Sequence, residues 1–289
     1  MKRTHRPSVL IVIAFLPLLL GSCSQLAAVP TPTPLPTSTF TPTPAPSLTP
    51  TPTSTATPIV PQTACGRYEN VVVGDNVYMV QNNLYNDAAK QAQCIVVQPD
   101  TGAFTVERAD NQVRLDGSPA SYPFIWKGCH WGLCTSGSGL PLQVGKIQSA
   151  RSNWSITTVP TGVWDIAYDV WINKTPTTPK GANGAEIMIW LNSHDMTPYG
   201  NNDGTVTLSG SKWNVTHTKF DVAFIVYRSA KDLTSVDDLD IKSFLDDAAS
   251  RGWIQNDWYL ITVDAGFELW HGGAGLASNS FSFTAVGTP

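Results

Sequence analysis

Asp165-Ile166-Ala167-Tyr168-Asp169-Val170-Trp171-Ile172-Asn173 is the stretch that decides the fold. Its even positions are Ile, Tyr, Val and Ile, and its odd positions are Asp, Ala, Asp, Trp and Asn. Successive side chains of an extended chain point to opposite faces, so the pattern describes a strand with one apolar face and one face of acids and flat rings. The even set belongs to a core, and the odd set suits a wet surface that holds a polar ligand.

The same alternation recurs outward from this strand, in residues 77–85, 95–98, 104–107, 186–192, 220–227, 258–263 and 280–285. These runs are rich in Val, Ile, Tyr, Trp and Thr and are separated by Gly, Asn, Asp and Pro, which predicts a mostly antiparallel, all-β body. One segment departs from the rule. Leu239, Ile241, Phe244, Leu245 and Ala248 fall at helical spacing, with Ser235 or Asp238 as candidate N-cap and Gly252 as a stop. Asp237, Asp238 and Asp240 then lie near the helix start, where they suit the dipole and read as structural. Many strands with one amphipathic helix predict two stacked, curved antiparallel sheets, a jelly-roll β-sandwich whose bent face forms a concave cleft.

The chain before this body has a different character. Lys2, Arg3 and Arg6, an apolar run over 9–20 and then Gly21-Ser22-Cys23 fit an export signal over residues 1–23. As a helix the apolar run spans only about 18 Å, short of the roughly 30 Å hydrocarbon core, so it is not expected to remain as a membrane span. Leu20-Gly21-Ser22-Cys23 resembles the lipobox of bacterial lipoproteins, with a less usual glycine in its second position. That resemblance implies acylation of Cys23 and a lipid anchor to the membrane; ordinary cleavage and release is the alternative. Residues 24–62 form a linker, almost entirely Pro, Thr, Ser and Ala over 30–61. This composition favours an extended spacer with a reach on the order of 100 Å. Residues 63–289 are then a single extracellular catalytic domain, tethered through Cys23 and expected to be monomeric.

The formal charge is −4 and no Lys/Arg cluster follows the signal, so the electrostatic footprint of a nucleic-acid binder is absent and a neutral partner is expected. With Cys23 set aside, Cys65, Cys94, Cys129 and Cys134 form an even set in an exported protein, for which three pairings exist. Cys65 with Cys94, stapling the first strands, and Cys129 with Cys134, closing a small loop, is the favoured arrangement. A metal site at Cys129-His130-Trp131-Gly132-Leu133-Cys134 is disfavoured, because the spacing is not C-x-x-C and no second Cys/His pair accompanies it. His130, His194, His217 and His271 form no ligand set and no Ser-His-Asp constellation, so no metal and no cofactor are expected. The sequons at Asn153, Asn173 and Asn214 are expected to be bare.

Two further strands carry acids. Glu186, Met188, Trp190 and Asn192 alternate with Ile187, Ile189 and Leu191, and Glu268 and Trp270 alternate with Phe267 and Leu269. Adjacent strands of this kind place Asp169 and Glu186 in one groove, with Glu268 and Trp270 as a further wall. Each glutamate lies between bulky apolar residues, where an idle carboxylate is costly to desolvate. Asp165 and Asp221 read instead as idle acids on a solvent-facing side.

Taken together these segments resemble glycoside hydrolase family 12, the compact jelly-roll endo-β-glucanases. The resemblance runs through Asn82-Asn83-Leu84-Tyr85-Asn86, Tyr122-Pro123-Phe124-Ile125-Trp126-Lys127-Gly128-Cys129-His130-Trp131-Gly132, Ala167-Tyr168-Asp169-Val170-Trp171, Glu186-Ile187-Met188-Ile189-Trp190-Leu191 and Gly266-Phe267-Glu268-Leu269-Trp270. It implies Glu186 as nucleophile, Glu268 as general acid and base, and Asp169 as a supporting acid beside the nucleophile. It also implies that Asn83, Trp190 and Met188 line the cleft, and the same two disulfides favoured above. Tyr85 stands where the family often has tryptophan, at a sugar-binding position, and Leu133 replaces what is often a polar residue. Among the tryptophans, Trp190, Trp126 and Trp131 are read as sugar platforms, and Trp171 and Trp270 as core.

The expected function is that of a secreted endo-acting glycoside hydrolase, cleaving internal β-1,4 bonds of unbranched β-glucan with retention through a covalent glycosyl-enzyme. A xyloglucan-specific endoglucanase is the alternative within the class, and a non-catalytic carbohydrate-binding jelly roll is the alternative outside it.

Overall fold

The computed structural model describes residues 60–177 and 181–288. The export signal, Cys23 and the linker up to residue 59 lie outside the described residues. In chain order the strands are β1 (Gln62–Ala64), β2 (Asn70–Val73), β3 (Tyr78–Gln81), β4 (Gln93–Val97), β5 (Phe104–Ala109), β6 (Phe124–His130), β7 (Leu133–Cys134), β8 (Leu142–Gln143) and β9 (Ile147–Thr157). They continue with β10 (Val163–Asn173), β11 (Ala185–His194), β12 (Asn201–Leu208), β13 (Ser211–Lys219), β14 (Ala223–Ser229), β15 (Ser235–Asp240), β16 (Tyr259–His271) and β17 (Ala277–Gly287), with helix α1 (Ile241–Ser250) between β15 and β16.

Two sheets result. One has the order β1-β4-β5-β17-β9-β15, and the other β12-β13-β14-β11-β10-β16-β6-β3-β2, with β7 added to β6 and β8 to β16. The even positions of β10 behave as read: Ile166, Tyr168, Val170 and Ile172 join Ile187, Ile189, Leu191, Val263 and Phe267 in the core between the sheets. The opposite sheet supplies Trp154 and Phe283 to that core. Its polar atoms are satisfied, since Trp154 Nε1 donates to Ser278 Oγ at 3.0 Å and Ser152 Oγ donates to the Ser282 carbonyl at 2.7 Å. Burying each such side chain contributes roughly 1.5–3 kcal/mol.

The sheets are not antiparallel throughout. β11 and β14 run parallel, with Glu186 opposite Phe224, while β12 and β13 form a hairpin beyond them. The helix also starts later than expected. Ser235–Asp240 is a strand paired with β9, and α1 begins at Ile241, with Asp240 as a cap residue whose side chain makes no capping bond. The acids serve the sheet edge instead: Asp238 and Asp240 pair with Arg151 at 3.3 and 3.4 Å, and Asp238 adopts φ 53° where the ladder bulges. Phe244 packs edge-on against Trp213 and Tyr227 at 5.0 and 5.2 Å, and the chain leaves the helix through Gly252 at φ 76°.

Both disulfides form in the favoured arrangement. Cys65–Cys94 ties the segment before β2 to β4, and Cys129–Cys134 closes the β6–β7 turn.

Candidate active site

The site grows from β10, which lies between β11 and β16. Asp169 stands opposite Met188 on one side and Asp264 on the other; Trp171 stands opposite Glu186 and Thr262; Asp165 stands opposite Glu268. Directly opposed residues share a face, so all of these project from the side of the sheet away from the core. Gly266 lets β6 close on this face, because a Cβ there would lie 2.4 Å from the Pro123 carbonyl and 2.6 Å from Phe124 Cβ.

The face encloses a cavity of about 660 Å³ lined by Tyr68, Gln81, Asn83, Tyr85, Tyr122, His130, Trp131, Leu133, Asp169, Trp171, Glu186 and Glu268. Glu186 and Glu268 keep part of their surface open, whereas Asp165 and Asp264 are 0% exposed and Asp169 is 6% exposed. Two reachable carboxyls therefore sit in front of three buried ones.

One wall is stiffened by rings. His130 Nδ1 lies 2.9 Å from Asp264 Oδ2, and Thr262 Oγ1 donates to the other Asp264 oxygen at 2.7 Å. The His130 ring is stacked on Trp131, with centroids 4.2 Å apart and planes at 10°, and Trp131 meets Trp171 edge-on at 4.7 Å. Below them, Tyr122 donates its hydroxyl hydrogen to the Ala167 carbonyl at 2.9 Å.

Burial and mutual repulsion push the acids upward. Glu186 is raised to about 8, first by burial and then by the charges of Glu268 and Asp264. Asp169 is raised well above the carboxylate range by burial and by the charge of Glu186. Glu268 is also raised by burial, while the neighbouring Asp165 acts in the opposite direction. Asp165 is raised strongly by burial and then by the charge of Glu268 opposite it, and neither of its oxygens has a hydrogen-bond partner. A resting proton on Glu268, kept there by the charge of Glu186, is the simple expectation for such a pair.

The structure brings Glu186, Glu268, Asp169, Asn83, Tyr85 and Trp131 to one cavity. It does not bring Trp126, Met188 and Trp190 there as open surfaces. Trp126 is 0% exposed beneath Phe124 and His130, and Met188 and Trp190 are 1% and 3% exposed, packed with Ala167 and Val226. The Trp190 Nε1–H points at Met188 Sδ, 3.5 Å away. Trp270 is likewise buried, against Leu84 and Val113, and donates to the Gly117 carbonyl at 2.9 Å. Conversely Trp171, read as core, lines the cavity. Asp165, read as an idle surface acid, is completely buried against Glu268; it shares odd parity with Asp169, which was the available signal.

The model of Glycosyl hydrolase family 12 matches residues 76–285, a span that contains every acid of this cavity. The chain belongs to glycosyl hydrolase family 12. It is 36% identical over 147 residues to "Probable cellulase Cel12b" of Mycobacterium tuberculosis, covering 50% of this chain and 97% of that one. Among solved structures it is similar to endoglucanase cel12A from Rhodothermus marinus, with 44% identity and a TM-score of 0.75, covering 78% of this chain and all of that one. A metagenome-derived family 12 endoglucanase gives 43% identity and a TM-score of 0.76, with 79% and 99% coverage. As a family 12 member the chain is a glycosidase with a jelly-roll body.

Proposed function

We propose that this family 12 protein is an endo-acting β-1,4-glucanase that works with retention, with Glu186 as nucleophile and Glu268 as general acid and base. The observation that carries this reading is the pair of half-open glutamates, on separate strands, sharing one ring-lined cavity and feeling each other's charge. The relatives named as cellulase and endoglucanase support the choice of glucan.

A retaining glycosidase uses one carboxylate to attack the anomeric carbon while the other protonates the leaving oxygen. Reaction starts from the one-proton state in which Glu268 holds the proton and Glu186 is ionised. Glu186 forms the bond to the anomeric carbon, the glycosidic bond breaks, and the Glu268 proton passes to the departing sugar oxygen. Glu268, now an anion, takes a proton from water, whose oxygen displaces the Glu186 ester. Asp169, beside Glu186, supports it, and Asn83, Tyr85, Trp131 and Trp171 hold the sugars.

Release of reducing ends from unbranched β-glucan and from xyloglucan, measured side by side, tests the assignment. A faster rate on the unbranched polymers is expected; release from neither would leave a carbohydrate-binding protein. A β-configured first product is expected, and an α-configured one would rule out retention. Export and tethering through Cys23 belong to the same reading and rest on the signal-like sequence before the linker. Mass spectrometry of the mature N-terminus tests them, and an unmodified start beyond Cys23 would end the anchor proposal.

A further inference from the structure

The cleft face does not end at Glu186. On the next strand Phe224 stands opposite Glu186 and so shares its face. The Phe220 ring lies 5.5 Å from that of Phe224, and Tyr199 continues the row 5.8 Å beyond Phe220 with its plane only 22° away. Phe220 is 58% exposed and Tyr199 70%. None of the three rings lines the catalytic cavity.

Exposed apolar side chains scattered singly need no explanation, but a contiguous row that prolongs a binding face does. The backbone holds these rings out. The Phe220 amide donates to the Val222 carbonyl at 3.1 Å, and Thr216 Oγ1 donates to the Tyr199 carbonyl at 3.3 Å. Thr218 stands beside Phe224 on β13, and Lys219 and Asp221, of opposite charge, flank Phe220 in the chain. Flat rings in contact with one another, flanked by a charge-balanced Lys219/Asp221 pair, suit the apolar face of a neutral sugar.

We propose that Phe224, Phe220 and Tyr199 form an outer sugar-binding row that takes the glucosyl units leaving the cavity past Glu186. This rests on the proposed glucanase activity. The occupant is the same polysaccharide strand, because the row is continuous with the face that carries the nucleophile and its spacing is about that of one sugar ring.

The test compares wild type with the double variant Tyr199→Ala/Phe220→Ala on cellohexaose and on p-nitrophenyl cellobioside. The short substrate ends before the row and reports the catalytic centre by itself. The ratio of kcat/KM for cellohexaose over the aryl cellobioside is expected to fall about tenfold in the variant, chiefly through KM, the scale of losing an aromatic anchor. Phe220→Trp is expected to keep the ratio near that of wild type. Should the double variant fold poorly, Phe220→Ala alone carries the same comparison. An unchanged ratio with an active wild type overturns the row and leaves the glucanase reading intact. Sedimentation showing a wild-type dimer that the double variant abolishes, with the ratio unchanged, makes the row a contact between copies and also overturns it. A wild type inactive on both substrates sinks the glucanase reading itself, and the row with it.

Discussion

Asp165 faces Glu268 directly across the β10–β16 ladder, and its two oxygens meet no hydrogen-bond donor. Burial and the charge of Glu268 push Asp165 well above the usual carboxylate range, with Asp169 and the Arg228 guanidinium as the other charges that act on it, while Asp165 acts to lower Glu268 against the burial that raises it. Replacing the Asp165 carboxyl with an amide therefore weakens the influence that lowers Glu268 and raises the pKa of that glutamate. In Asp165→Asn the basic limb of the kcat/KM profile is expected to move to higher pH, with the acid limb, governed by ionisation of Glu186, moving less. A pH–rate profile checks this, and a basic limb that stays in place would show that Asp165 does not tune Glu268.

Glu186→Gln and Glu268→Gln are each expected to lower kcat on β-glucan by about a thousandfold or more, since under the proposed roles one loses the nucleophile and the other the proton shuttle. Azide is expected to restore turnover in Glu268→Ala by replacing the activated water. Near-normal rates in either glutamine variant would refute both roles.

The same burial that equips Glu186 costs stability. Its folded value of about 8 lies above its ordinary 4.5, so the ionised form is disfavoured in the folded state. The sign follows: stability is fully present below about pH 4.5 and is lost as pH rises through about 8. Glu186→Gln has nothing to ionise. Its Tm is expected to exceed that of wild type by several degrees more at pH 8.5 than at pH 4, on the scale of about 2–4 °C per kcal/mol for a domain of this size. Scanning calorimetry at the two pH values decides, and an equal difference at both would contradict the burial argument.

Gly266→Ala is expected to be damaging although the change is a single methyl group. The added carbon would meet main chain at 2.4 Å, which no rotamer change can relieve, and β16 would have to part from β6 just before Glu268. A loss of about 1–3 kcal/mol in denaturant unfolding, together with at least tenfold lower kcat, is the expected result. Full stability and rate in this variant would mean that the close approach is dispensable.

Removing the Cys65–Cys94 bridge by Cys65→Ser/Cys94→Ser frees a loop spanning 29 residues and is expected to cost about 3–4 kcal/mol. The cavity acids lie on β10, β11 and β16, away from this staple, so kcat below the new unfolding temperature is expected to change less than twofold. Thermal unfolding and activity measured on one preparation separate the two effects.

Much of the architecture and of the acid pair was legible in the sequence because parity is a strong constraint: alternation over residues 165–173 separates core from cleft in β10, and Glu186 and Glu268 betray themselves by lying among bulky apolar neighbours. Parity names a face and not what covers it. Trp126 and Trp190 have cleft-side parity yet are sealed by neighbouring rings and thioether, while Trp171 at the same parity is left open beside Trp131. β9 escaped notice because its inward positions include Ala150 and Ser152, which blur the alternation that Trp154 and Ile156 alone would show. The parallel pairing of β11 with β14 leaves no mark on either strand, since direction is set by the path of the chain between them.

That path has an evolutionary corollary. Because β11 and β14 point the same way, residues 195–222 must double back as the β12–β13 hairpin on the free margin of the sheet, and this excursion supplies Tyr199 and Phe220. The hairpin can be lengthened, trimmed or resurfaced without shifting the ladders that set the acids of β10 and β16. Reach and reactivity are thus inherited on separate stretches of polypeptide, and a change of diet needs no change of chemistry.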